Sequence, residues 1–167
     1  DWDLIKSESL SLKKGAESTE LISEEPAPTL ETEGKIPLST GALTQEQINL
    51  MLSNLPVDIT FVDENDKVCF FSQTSERIFV RTAAIIGRAV QNCHPPQSVH
   101  VVQHIVDDFR AGKRDVAEFW IQMGPKFVHI RYFALRDAQG AYKGVIEVTQ
   151  DVSSIRALEG ERRLLDD

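Results

Sequence analysis

The chain has 167 residues, 41% of them hydrophobic and 26% charged, which suits one packed domain with extensions or two very small ones. No apolar run approaches the roughly 18–20 residues of a membrane-spanning helix, and nothing resembles a signal peptide. The net charge of −8 argues against a nucleic-acid surface. It is also uneven: residues 1–37 hold nine acidic side chains against four lysines, which leaves −5 there and −3 on the rest. Two cysteines, Cys69 and Cys93, give no disulfide framework and fit a reducing, cytoplasmic setting. The first residue is Asp1 rather than Met, so the chain reads as a segment of a longer protein.

Residues 1–13 carry a short apolar patch, Trp2-Asp3-Leu4-Ile5, and read as the tail of an upstream region. Residues 14–40 are rich in Glu, Ser, Thr and Pro and read as an acidic flexible linker. The structured region is expected over 41–153. Thr44 with Gln47 forms a capping-box pattern ahead of an apolar stripe (Ile48, Met51, Leu52, Leu55), and Pro56 ends that helix. Residues 57–62 alternate as a half-buried strand, Asp63-Glu64-Asn65-Asp66 is turn chemistry, and 67–71 is the returning strand. Two short helices are expected over 75–79 and 82–86, then a strong amphipathic helix over 97–111 stopped by Gly112. Strands over 116–123, 127–136 and 142–152 follow, and residues 154–167 read as an exposed C-terminal helix weakened by Gly160. Strand, strand, helical insertion and three antiparallel strands make an α+β domain: a five-stranded antiparallel sheet with helices covering one face and further helices flanking it at both ends.

The densest chemistry lies in Gln91-Asn92-Cys93-His94-Pro95-Pro96. The two prolines stiffen the corner before the long helix, so Cys93 and His94 sit at a fixed position beside the core. Cys93 near a helix start is a candidate redox or electrophile-sensing thiol, or a buried structural one. His100 and His104, four apart on one helix face, join His94 as candidate metal ligands. Helical phase, however, puts Val99, Val102, Ile105, Val106 and Phe109 on one arc and both helical histidines on the other, beside Asp107 and Asp108. His129 reads as a residue of the sheet surface. No nucleophile elbow, phosphate-cradling glycine loop or metalloprotease spacing is present, so no enzymatic activity is expected.

Several runs carry a family resemblance. The turn at Asp63–Asp66, Ile86-Gly87-Arg88-Ala89-Val90 before the long helix, and the closing Gln150-Asp151-Val152-Ser153 resemble a PAS domain. Asn92–His100, Asp115–Ile121 and Leu158–Asp166 are similar to one group of PAS modules that follow a helical domain of unknown function and a hemerythrin-like domain. The resemblance implies a sensory, ligand-binding and protein-interaction module. Gln150 and Asp151 would couple the last strand to an output helix. A small hydrophobic ligand would occupy a pocket drawn from Cys93, His94, Phe61, Ile86, Val102, Val106, Trp120 and Tyr132. Haem is a further possibility the family raises, with His94 as the axial candidate. The expected partners are a second copy of the chain and the upstream domains of its parent. The rival readings are a ligand-free dimerisation module and a metal-binding protein using His94, His100 and His104.

Overall fold

The computed structural model describes residues 34–163, so the upstream tail and most of the expected linker lie outside the described residues. The described residues divide into two compact units, one of residues 34–42 with 159–163 and the other of Leu43–Leu158. Strands β1 (Lys35–Leu38) and β2 (Gly41–Thr44) pair as a two-stranded sheet. Ordered structure therefore begins before residue 41, and the end of the expected linker is a strand.

Thr44 caps helix α1 (Gln45–Asn54) by the expected box: its hydroxyl accepts from the Gln47 amide at 3.1 Å and its amide donates to Gln47 Oε1 at 2.8 Å. The second unit is then built on a five-stranded antiparallel sheet. Its strands are β3 (Asp58–Asp63), β4 (Val68–Phe71), β5 (Val116–Met123), β6 (Lys126–Arg136) and β7 (Tyr142–Asp151). In space they run β4-β3-β7-β6-β5, so the first strand of the sheet lies beside the last. The β3–β4 turn closes because Asp63 Oδ1 accepts from the amides of Asn65 (2.9 Å) and Lys67 (2.8 Å), while Asp66 takes φ 63°.

Helix α2 (Pro96–Arg110) is the only long helix among the described residues and packs on one face of the sheet. Pro96 opens it at a position that needs no amide donor, and Gly112 (φ 68°) stops it. Its Ile105 and Phe109 meet Ala117 and Val145, with Tyr132, Ala134 and Tyr142 around them. Cross-strand register fixes the rest of this inner face: Val62 lies opposite Val145, Thr60 opposite Glu147, Tyr132 opposite Glu147 and Ala117 opposite Tyr132. Phe61, Ile146, Val148, Arg131, His129 and Trp120 point to the other face.

Two helical expectations are corrected. Residues 75–79 form no helix, because Asp58 draws in the Ile78 amide (2.6 Å) and Arg77 takes the carbonyls of Ser72 (2.6 Å) and Phe79 (3.0 Å). Short 3₁₀ turns form instead at Ala83–Ile85 and Val90–Cys93. Among the described residues the C-terminal helix α3 covers only Ser153–Arg156, Gly160 has φ 65°, and the expected helix's last residues, 164–167, lie outside the described residues. Ile155 and Leu158 are exposed there, so no buried face repays the cost of a longer helix.

Candidate functional site

A small cavity lies between α2 and the inner face of the sheet. Val62, Tyr132, Val145 and Glu147 form its floor, Val102, Ile105 and Val106 its roof, and Val90 and His94 its wall. Its volume is about 30 Å³, room for one or two water molecules. The 3₁₀ turn at Val90–Cys93 places His94: the ring Nδ1 donates to the Val90 carbonyl at 2.9 Å, which fixes the tautomer of a neutral ring and leaves Nε2 as an acceptor.

Beside the cavity, the centre of the inner face is polar. Glu147, nearly buried, meets Arg81 (Nη2 to Oε2, 3.4 Å) and accepts from the Thr149 hydroxyl at 3.3 Å. Arg77 donates to the Thr60 hydroxyl at 2.9 Å and stands 3.9 Å from Asp58. Asp58 also accepts from the Thr74 hydroxyl at 2.5 Å. Burial pushes the Arg77 guanidinium pKa down, with Asp58 opposing. Burial, and then the Glu147 carboxylate, push the Tyr132 phenol well above its ordinary pKa, so it stays protonated and able to donate. Arg77 and Arg81 together tie the segment between β4 and the 3₁₀ turns onto the sheet through side chains.

A second, wider cleft of about 310 Å³ runs past the end of α1, Asp58, Thr74–Glu76 and the last residues of β7. It is open and polar, and its two best-placed carboxylates are already satisfied. Asp58 is held as described, and Asp151 Oδ1 accepts from the Ser153 hydroxyl (2.5 Å) and amide (3.0 Å). Those bonds hold the Asp151 carboxyl below its ordinary range, the Ser153 hydroxyl contributing most. The Ser153 oxygen in turn accepts from the Phe127 amide at 2.7 Å, locking the end of β7 to the start of β6.

The strand order, the long helix after a glycine-marked loop and the Asp151–Ser153 lock set this chain beside a known group. The sequence model of the PAS domain matches residues 48–153. The chain belongs to the PAS domain family. The crystal structure of a C-terminal domain from Streptococcus mutans is 35% identical, with a TM-score of 0.71, covering 75% of this chain and 97% of that one. More distant likenesses are the PAS domain of Bordetella pertussis BvgS (17% identity, TM-score 0.49, 64% and 84% covered) and a PAS domain from Colwellia psychrerythraea (12%, 0.48, 65% and 97%). No curated protein matches the chain. No helix of the described residues is long and apolar enough to cross a membrane.

Within the PAS fold, the residues expected at the pocket separate. His94, Val102, Val106 and Tyr132 line the cavity. Cys93 does not; its thiol is directed at the Ala89 carbonyl, 3.7 Å away. Ile86 lies outside at 47% exposure. Phe61 and Trp120 are on the opposite face of the sheet, Phe61 across from Ile146 and Trp120 across from His129. Phe61 falls outside because alternation places the apolar residues of β3 inward, whereas Thr60, with Glu147 and Thr149 of β7, occupies the inward positions, where nearly buried arginines and hydroxyls satisfy them. Glu147, Arg81 and Arg77 went unforeseen, and their only trace in the sequence is polar residues at matching parity in two strands.

The three histidines considered as metal ligands are not brought together. Among the described residues no three His, Cys, Asp or Glu side chains converge as ligands. His94 faces the cavity, His100 is exposed, and His104 lies 3.5 Å from Asp108. Asp108, expected at the solvent, is buried among His104, Lys113 and Arg114. Haem does not fit these residues either. A cavity of about 30 Å³ is an order of magnitude below the roughly 300 Å³ at which ligand pockets begin, so no porphyrin can reach His94 in this geometry.

Proposed function

We propose that this PAS domain is a sensory module of a larger signalling protein, non-enzymatic, in which the state of the cavity under α2 is relayed along β7 to the C-terminal segment. One observation carries the reading. The strand that floors the cavity with Val145 and Glu147 also carries Asp151, four residues or about 13 Å further on, which holds Ser153 and through it Phe127. A ligand that binds two packings of α2 with unequal affinity would shift their populations and alter that lock. The cavity favours a small, mostly apolar molecule with a hydrogen-bonding group for Tyr132 or His94, and α2 must move outward to admit it. The resemblance to PAS modules that follow a hemerythrin-like domain supports an input from upstream domains of the same protein.

The test starts on the helix and is read at the far end of the strand. Val106→Ile pushes one methyl group into the void, and amide NMR shifts are compared with the unmodified chain. The reading expects shifts at Ser153 and Arg156 as well as around the cavity. Shifts confined to the lining residues, in a fully folded variant, would show that β7 transmits nothing.

A further inference from the structure

The two edges of the sheet are finished differently. The free side of β4 is covered within the chain: the Gly87 amide donates to the Val68 carbonyl (2.8 Å), the Val68 amide to the Arg88 carbonyl (3.0 Å), and Lys67 bridges Ala89. The free side of β5 has no partner among the described residues. Its eight residues pair with β6 in unbroken register, with no bulge, and include no Pro, Lys or Arg. Such devices protect natural edge strands from pairing with another strand, and apart from one charge β5 lacks them. Its single charge, Glu118, is already held by His129 at 2.5 Å. Yet Val116, Phe119, Trp120 and Ile121 are 50%, 39%, 62% and 42% exposed.

We propose that β5 pairs antiparallel with β5 of a second copy of this chain about a two-fold axis at Trp120, joining the two sheets into one. The strand is self-complementary in that register. Trp120 meets its own copy, Phe119 meets Ile121, and Glu118 meets Gln122, with each pair on one face. Moving the axis to residue 118 would set two Glu118 carboxylates opposite each other. Moving it to residue 119 would press Glu118 against Trp120. Area points to a second copy as well. With roughly 150–250 Å² for a whole aromatic side chain, the exposed parts of the four residues come to about 400 Å² per copy. Two copies bury at most about 800 Å² from these side chains, to which main chain and flanking residues add, and a stable interface needs about 1,000 Å². This inference stands independently of the sensory reading, since β5 contributes nothing to the cavity lining.

The experiment uses the full chain and two charge variants, Trp120→Lys and Trp120→Glu. Sedimentation velocity between about 1 and 200 μM should show a dimer for the unmodified chain, and each variant alone should be monomeric, because the axis sets like charges opposite each other. An equimolar mixture should give a heterodimer by native mass spectrometry, a recovery that misfolded variants could not produce. A monomeric unmodified chain overturns the proposal. So does a dimer that persists in both variants, which places the interface elsewhere. A monomer that dimerises only after removal of residues 1–33 also overturns it, by assigning β5 to the chain's own N-terminal segment.

Discussion

Glu147→Gln tests whether the polar centre of the inner face is a coupled ion pair or merely a set of neighbours. The substitution keeps the shape of the side chain and removes its charge, leaving Arg81 as a nearly buried cation whose carboxylate partner is gone. Both side chains are nearly withdrawn from water, at 13% and 11% exposure, so screening is weak. Removing one member of a buried pair costs about 3–5 kcal/mol when the geometry is good. Here a single 3.4 Å contact joins them and Arg81 Nε has no partner, which sets the expected loss at or just below the lower limit of that range, about 2–3 kcal/mol. Arg81→Met should cost a similar amount, because it leaves the carboxylate with the Thr149 hydroxyl as its remaining hydrogen bond. The double variant has no stranded charge, and its loss should fall short of the sum by about 2 kcal/mol. Urea unfolding at neutral pH, with unchanged denaturant dependence across the four proteins, measures all three losses. Losses that add to within about 0.5 kcal/mol would refute the argument.

Gly144→Ala should be among the most damaging single-methyl additions in the chain. Gly144 has φ +131°, and a Cβ there would collide with the Val62 carbonyl oxygen on the paired strand, so a loss of about 2 kcal/mol or more in urea unfolding is expected. Phe109→Ala should cost about 3–5 kcal/mol in the same assay, since the ring is fully buried in the centre of the core. Asp151→Asn should lower the urea midpoint at pH 7, by an amount that shrinks steadily as the pH is lowered into acid. The Asp151 carboxyl is held below its ordinary range, so its contribution is complete well above the ordinary carboxylate pKa, from about pH 5, and is lost as pH falls through the lowered value.

Most of the fold was legible because its signals are local. The capping box at Thr44, the Asp63 turn, the prolines before α2 and Gly112 after it each depend on residues within a few positions, and each lies where its chemistry requires. The segment from Ser75 to Phe79 was misread for the opposite reason. Its helix-like pattern is overridden by Asp58 and Arg77, whose hydrogen-bond partners span from 2 to 20 residues along the chain. Strand parity failed in the same way. Alternation assigns the apolar set of a strand to the core, and this holds where only one face is covered. In β3 both Ile59 and Thr60 are buried, so periodicity no longer distinguishes the faces. Only the arginines reaching in from another segment decide that Thr60 and Glu147 belong inside.

The Cys93-His94-Pro95-Pro96 corner gains a more limited role from this arrangement. Its prolines start α2, and the preceding 3₁₀ turn presents the Val90 carbonyl to the His94 ring, which divides the two chemical side chains between different surroundings. His94 becomes part of the cavity wall, whereas the Cys93 thiol turns back to Ala89. The segment leading to the corner is held mainly through Arg77 and Arg81, with backbone pairing concentrated at Gly87, Arg88 and Val90. Side-chain ties of that kind can be exchanged one at a time, unlike a strand ladder, which must break in register. In the sensory reading proposed above, a ligand that moves α2 outward to reach Tyr132 and His94 would also meet the carboxylate that Arg81 holds, so weakening the Arg81–Glu147 pair should loosen the segment beside the cavity before it unfolds the domain.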